Sequence, residues 1–169
     1  MSDAISTLGV RAWRWYGLAL VVIAIDQITK HLVVANMTYG EVIPYTSFFN
    51  LVSARNYGAA FSLLADAGGW QHWFFLGVAG VVSVGIVVWL WKLPASKKLE
   101  ALALGLILGG ALGNVYDRIT LGYVVDFLDF YWGSYHWPAF NMADSAICVG
   151  AGLLIWDALF GQHNKGTEQ

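Results

Sequence analysis

Nineteen consecutive residues, Trp73 to Trp91, carry no charge. A helix of that length rises about 29 Å, matching the roughly 30 Å hydrocarbon core of a bilayer. The rest of the chain shares the bias. Charged residues make up 12% of it and hydrophobic ones 58%, against about 25% and about 45–50% in soluble domains. That is too little charge to clothe a soluble surface. The 169 residues therefore read as one all-α, polytopic membrane domain covering 1–169. Four spans are predicted, at about 13–34, 73–91, 99–117 and 140–160. Arg11 and Arg14 ahead of an apolar stretch also outline a signal peptide. Against that reading, charges follow the stretch and no small-residue cleavage site does.

Basic residues orient the spans. Arg11, Arg14, Lys92, Lys97, Lys98 and Lys165 fall at the two termini and in the turn after the second span, regions that share one side. Arg55, Arg118 and Lys30 belong to the other side. The positive-inside rule then places both termini in the cytoplasm and segments 36–70 and 118–139 outside. The first outer segment mixes β-branched and aromatic residues with turn signals at Pro44 and Asn56-Tyr57-Gly58, which predicts a small β element. The second is rich in Tyr, Trp and Phe and predicts an aromatic-rich loop settled at the interface. Gly58, Gly68-Gly69 and Gly133 mark these segments as the mobile part.

Several chemistries lack their residues. Nine Lys and Arg against eleven Asp and Glu leave a net charge of −2, with no basic surface for nucleic acid. Cys148 is alone, and His31, His72, His136 and His163 stand far apart, so no metal or other cofactor is expected. Neither a G-x-S-x-G elbow nor a Cys–His pair offers a nucleophile. Gly105, Gly109 and Gly113 form tandem G-x-x-x-G steps, a signature of close helix packing.

Polar residues at membrane depth are costly, and here topology gathers them. Asp26 and Lys30 lie toward the outer end of the first span, and Asn114, Asp117 and Arg118 at the outer end of the third. Asn141 and Asp144 occupy the first turn of the fourth, while Asn56 and Asp126 belong to the outer loops. Asp26 and Lys30 are spaced i, i+4 with the acid first, a favourable helix ion pair. Arg118 shares a face with Asn114, with snorkelling to lipid headgroups as the competing reading. Asp129 reads as an ordinary loop acid.

Asp126 and Asp144 stand out, one flanked by apolar residues and the other at a helix N-terminus. Two carboxyls sharing a site cannot easily both ionise, so the pair holds one proton near neutrality. The ionised member can take a proton from water while the protonated one hydrogen-bonds a scissile carbonyl. The helix N-terminus favours negative charge at Asp144, which leaves the proton on Asp126.

Five ordered blocks carry a resemblance. They are Asp26-Gln27-Ile28-Thr29-Lys30, Asn56-Tyr57-Gly58-Ala59-Ala60-Phe61, the stretch from Gly109 to Arg118, Val124-Val125-Asp126-Phe127, and Phe140-Asn141-Met142-Ala143-Asp144. With them the chain closely resembles the lipoprotein signal peptidase (signal peptidase II) family of bacterial membrane aspartyl proteases. The resemblance implies removal of signal peptides from prolipoproteins by cleavage just before a diacylglyceryl-modified cysteine. It implies a catalytic dyad of Asp126 and Asp144. Asn56, Gly58, Asn114, Arg118 and Asn141 would bind substrate or hold the dyad, and Asp26, Lys30 and Asp117 would be structural support. It also implies a bacterial inner-membrane location, an active site near the periplasmic face, contact with membrane lipid, and inhibition by the cyclic peptide globomycin. The two-aspartate site needs no second chain, so a monomer is expected. The rival reading is a small ion or proton carrier using Asp126, Asp144 and Asp117 as relay groups.

Overall fold

The computed structural model describes residues 2–58 and 70–160. Ala59, Ala60, Phe61, Gly68, Gly69, His163, Lys165 and the Arg11 side chain lie outside the described residues. Four helices carry the chain: α1 (Ser2–Asn36), α2 (Trp70–Lys92), α3 (Lys98–Leu121) and α4 (Met142–Phe160). Within them Ala12–Asn36, His72–Lys92, Lys98–Leu121 and Met142–Phe160 are long and apolar enough to cross a membrane. Their outward faces are undisguisedly apolar. Leu20, Val81, Val84 and Ile155 are 67%, 74%, 65% and 61% exposed, a surface suited to lipid rather than water.

The predicted spans match these helices to within a few residues at most ends. The difference with consequences is at α3, which continues a full turn past Asp117. Arg118, expected at the outer end of this span on one face with Asn114, is thus held within the helix. Gly122 stops the helix in a left-handed conformation at φ 81°, donating its N–H to the Arg118 carbonyl. Only glycine takes that cap without strain.

α3 is the hub, packing against α1, α2 and α4. Its glycines explain how. At Gly109 an added Cβ would stand 2.6 Å from the Val22 Cβ, and at Gly110 it would run into the Ala143 carbonyl. One glycine thus brings α1 close and its neighbour brings α4 close, in keeping with the predicted packing role. Beyond them Ala19, Ile86, Leu90, Leu104 and Leu108 close an apolar core toward the end where α1 enters.

At the other end lies a four-stranded sheet in the order β1-β2-β3-β4. Strands β1 (Val42–Pro44) and β2 (Phe49–Asn56) form the predicted β element. β3 (Val124–Trp132) and β4 (Tyr135–His136) occupy the segment expected to be an aromatic-rich loop. β3 pairs antiparallel with β2, from Phe49↔Phe130 to Asn56↔Val124. Tyr, Trp and Phe favour both strands and the membrane interface, and the partner strand lies two helices away in sequence, so composition alone pointed to the interface. Val33, Met37, Val125 and Phe127 form a second apolar cluster, joining α1 to β3.

The expectation for Asp129 is corrected by this strand. It is buried on β3, not a loop acid, and accepts hydrogen bonds from Asn50 Nδ2 at 2.7 Å and from His136 Nδ1 at 2.9 Å.

Candidate active site

The ends of α1, α3 and α4 meet the sheet around one buried cation. Lys30 is 2% exposed. Its Nζ lies 2.8 Å from Asp26 Oδ2 and 2.9 Å from Asp117 Oδ2, and donates to Asn114 Oδ1 at 2.9 Å. An ammonium has three donors, and all three are used. Each carboxylate then reaches onward. Asp26 Oδ1 accepts the Ala143 N–H at 2.9 Å in the first turn of α4, where an acidic group relieves an orphan donor and suits the helix dipole. Asp117 accepts the Val125 N–H at 3.2 Å and the Gln27 amide at 2.8 Å. The cluster therefore ties α1, α3, α4 and β3 together. Nothing in the sequence setting of Gln27 marks it as the clamp on Asp117.

Lys30 has a second effect. It can only donate, so Asn114 must turn its Oδ1 toward it, which aims Nδ2 the other way. That Nδ2 donates to Asp144 Oδ1 at 2.8 Å. Asn141, fully buried, stands between the two aspartates. Its Nδ2 donates to Asp126 Oδ1 at 2.7 Å, while its Oδ1 accepts the Asp144 N–H at 2.9 Å. Asn141 is thus the N-cap of α4, just outside the helix rather than in its first turn. Asn56 Nδ2 donates to the other Asp126 oxygen at 3.0 Å, and Asn56 Oδ1 accepts the Gly58 N–H at 2.9 Å. Arg118 donates to the Gly58 carbonyl at 2.8 Å and to the Asn114 carbonyl at 3.2 Å. It points into the site, not outward to headgroups.

The predicted residues therefore form one network. Asp126, Asp144, Asn56, Gly58, Asn114, Arg118 and Asn141 are linked by hydrogen bonds, with Lys30 one contact behind and Asp26 and Asp117 behind Lys30. The two aspartates differ in setting. Asp126 is 3% exposed, whereas Asp144 is half-buried and lines an apolar cavity of about 260 Å³ with Asn56, Trp137, Phe140 and Cys148. Burial, reinforced by the neighbouring Asp144 charge, pushes the Asp126 carboxyl from its ordinary 3.8 up to about 7, against the pull of the two asparagine donors. Among the described residues no group of His, Cys, Asp or Glu is arranged to hold a metal ion.

Comparisons with known proteins agree on one family. Residues 18–160 match the model of the family described as signal peptidase (SPase) II. The chain is 57% identical over 150 residues to the lipoprotein signal peptidase of Teredinibacter turnerae, covering 89% of each chain. It is 53% identical over 162 residues to that of Vibrio cholerae, covering 93% of each. A solved bacterial membrane enzyme superposes with a TM-score of 0.82 at 32% identity, over 92% of this chain and 93% of the other.

Proposed function

The chain belongs to the signal peptidase II family of multi-pass bacterial membrane proteases, which remove signal peptides from prolipoproteins, and we infer that it does so as an aspartyl endopeptidase. Asp126 and Asp144 are the catalytic pair. The observation that carries this is the single buried Asn141: its side chain links the Asp126 carboxyl, pushed to about 7, to the Asp144 N–H, and its own backbone N–H reaches Asp144 Oδ2 at 3.4 Å.

In the resting site the pair holds one proton, on Asp126. Asp144 is the ionised partner in this reading, its charge met by Asn114 Nδ2 and the α4 N-terminus. A water between them gives its proton to Asp144 as its oxygen attacks the scissile carbonyl carbon. Asp126 passes its proton to the carbonyl oxygen, forming a neutral tetrahedral diol. Asp144 then protonates the leaving amide nitrogen and the C–N bond breaks. The diol returns a proton to Asp126, leaving an acid, an amine and the dyad as it began.

The bond cut lies just before a diacylglyceryl-modified cysteine. Acyl chains in the bilayer hold that bond at the depth of the polar layer, and the apolar cavity beside Asp144 accepts adjoining substrate. The site faces the periplasm of the inner membrane, with both termini cytoplasmic. Arg14, Lys92, Lys97 and Lys98 at the opposite end of the bundle support that orientation. The enzyme acts as a monomer, and globomycin occupies the same site. The carrier reading is disfavoured by depth. From Asp144 the next acid along α4 is Asp157, thirteen residues or about 20 Å away, too far for direct proton relay.

The test is cleavage of a diacylglyceryl-modified prolipoprotein by purified wild type, Asp126→Asn and Asp144→Asn, with folding verified for each. Loss of turnover in both folded variants is expected. Near-wild-type turnover in either one refutes the two-aspartate mechanism.

A further inference from the structure

The end of the bundle away from the carboxylates has a cavity that the reaction does not use. It measures about 410 Å³ and lies between the first turn of the membrane-crossing part of α1 (Arg14, Trp15), the end of α2 (Leu90) and the turn into α3 (Pro94, Lys97, Lys98). Trp15 and Leu90 make part of its wall apolar, while Arg14, Lys97 and Lys98 make its rim cationic. Lys97 is already engaged, 3.3 Å from Glu100 Oε2 and 3.7 Å from Asp157 Oδ2. Among the described residues, Arg14 and Lys98 have no side-chain hydrogen bond or ion pair and are exposed. Trp13 and Trp91, exposed and next in sequence to the lining residues Arg14 and Leu90, are of the type that settles at headgroup level.

We propose that this cavity binds the phosphodiester headgroup of an anionic phospholipid, with Arg14 and Lys98 holding the phosphate. A guanidinium fork matches two phosphate oxygens, and a basic pocket between spans is a headgroup site by its chemistry. The apolar wall receives the glycerol and first methylenes, a contact that a free inorganic anion would not make. A zwitterionic headgroup brings its own cation against Arg14, Lys97 and Lys98 and is disfavoured. The site is independent of the carboxylates, so it stands or falls apart from the proteolytic reading.

A cation near an anionic lipid surface is worth about fivefold, so two give roughly a 30-fold preference. The full-length protein in neutral detergent is titrated with short-chain phosphatidylglycerol and, separately, phosphatidylcholine, and bound lipid is counted by native mass spectrometry. Wild type should prefer the anionic lipid by that order. The double variant Arg14→Gln, Lys98→Gln should approach parity, with its thermal unfolding unchanged because both side chains are exposed. Lys92→Gln, outside the cavity, should keep the preference. Glycerol phosphate at the same concentration should not displace the lipid. Equal binding of both lipids by wild type, a preference surviving in the double variant, or displacement by glycerol phosphate would each overturn the proposal.

Discussion

Replacing Lys30 with Met removes the charge but keeps most of the stem. The variant leaves Asp26 and Asp117 facing each other in a site where both are buried, at 0% and 1% exposure. Breaking a buried pair by deleting one partner costs about 3–5 kcal/mol. At about 2–4 °C per kcal/mol for a chain of this size, Tm should drop by roughly 6–20 °C. Activity should fall for a separate reason. The Lys30–Asn114 bond is charge-assisted and selects the amide orientation that donates to Asp144. Losing about 1.5–3 kcal/mol of that selection lowers kcat roughly 10- to 150-fold. The two effects separate in Lys30→Met, Asp26→Asn, Asp117→Asn, where no buried charge is unpaired and both asparagines still accept from Ala143 and Val125. That triple variant should regain most of the lost Tm yet stay slow. The assay is thermal unfolding in detergent alongside prolipoprotein cleavage at a temperature below every Tm. A single variant within about 2 °C of wild type, or a triple variant with wild-type kcat, would refute the reasoning.

Other perturbations have equally definite outcomes. Asp126 sits near 3.8 in the unfolded chain and about 7 when folded, so between those values the folded protein holds a proton the unfolded chain has lost. Stability should therefore fall as pH rises from about 4 to about 7, by roughly 4 kcal/mol in full. Asp126→Asn should flatten that dependence and unfold later than wild type at pH 8, while kcat/KM of wild type shows its basic limb near 7. Asn141→Ala loses the α4 cap, worth about 0.5–2 kcal/mol, and a donor to Asp126; cleavage assays should show at least a tenfold loss in kcat, larger than its Tm shift alone would suggest. Gly110→Ala pushes a methyl into the Ala143 carbonyl, an overpacking of about 1–3 kcal/mol that chemical or thermal unfolding will register.

Much of this architecture was legible in the residues because a bilayer permits few solutions. Uncharged runs set the spans, and four spans forced Asp26, Asn114, Asp117, Asp144 and Asn56 to one end. What stayed illegible depends on contacts between distant segments. The run from Val124 to Trp132 suits a strand and an interface equally, and only its pairing with β2 decides. Asp129 looked like a loop acid because Asn50 and His136, its partners, are invisible to local reading. Asn141 precedes α4 although hydropathy carries the span past it, since helix boundaries are set by cap geometry rather than hydropathy. The Lys30–Asn114–Asp144 relay has no local signature, because its three members come from three helices.

The most direct measurement is a site-resolved titration of the two aspartates. Infrared or carbon NMR spectra of carboxyl-labelled enzyme would be recorded from pH 4 to pH 9, with Asp126→Asn and Asp144→Asn providing assignment. The proposed mechanism predicts that the last carboxyl proton of the pair leaves Asp126 near pH 7, with Asp144 already ionised at neutrality. An Asp126 fully ionised well below pH 6, or a neutral-pH proton residing on Asp144, would contradict it.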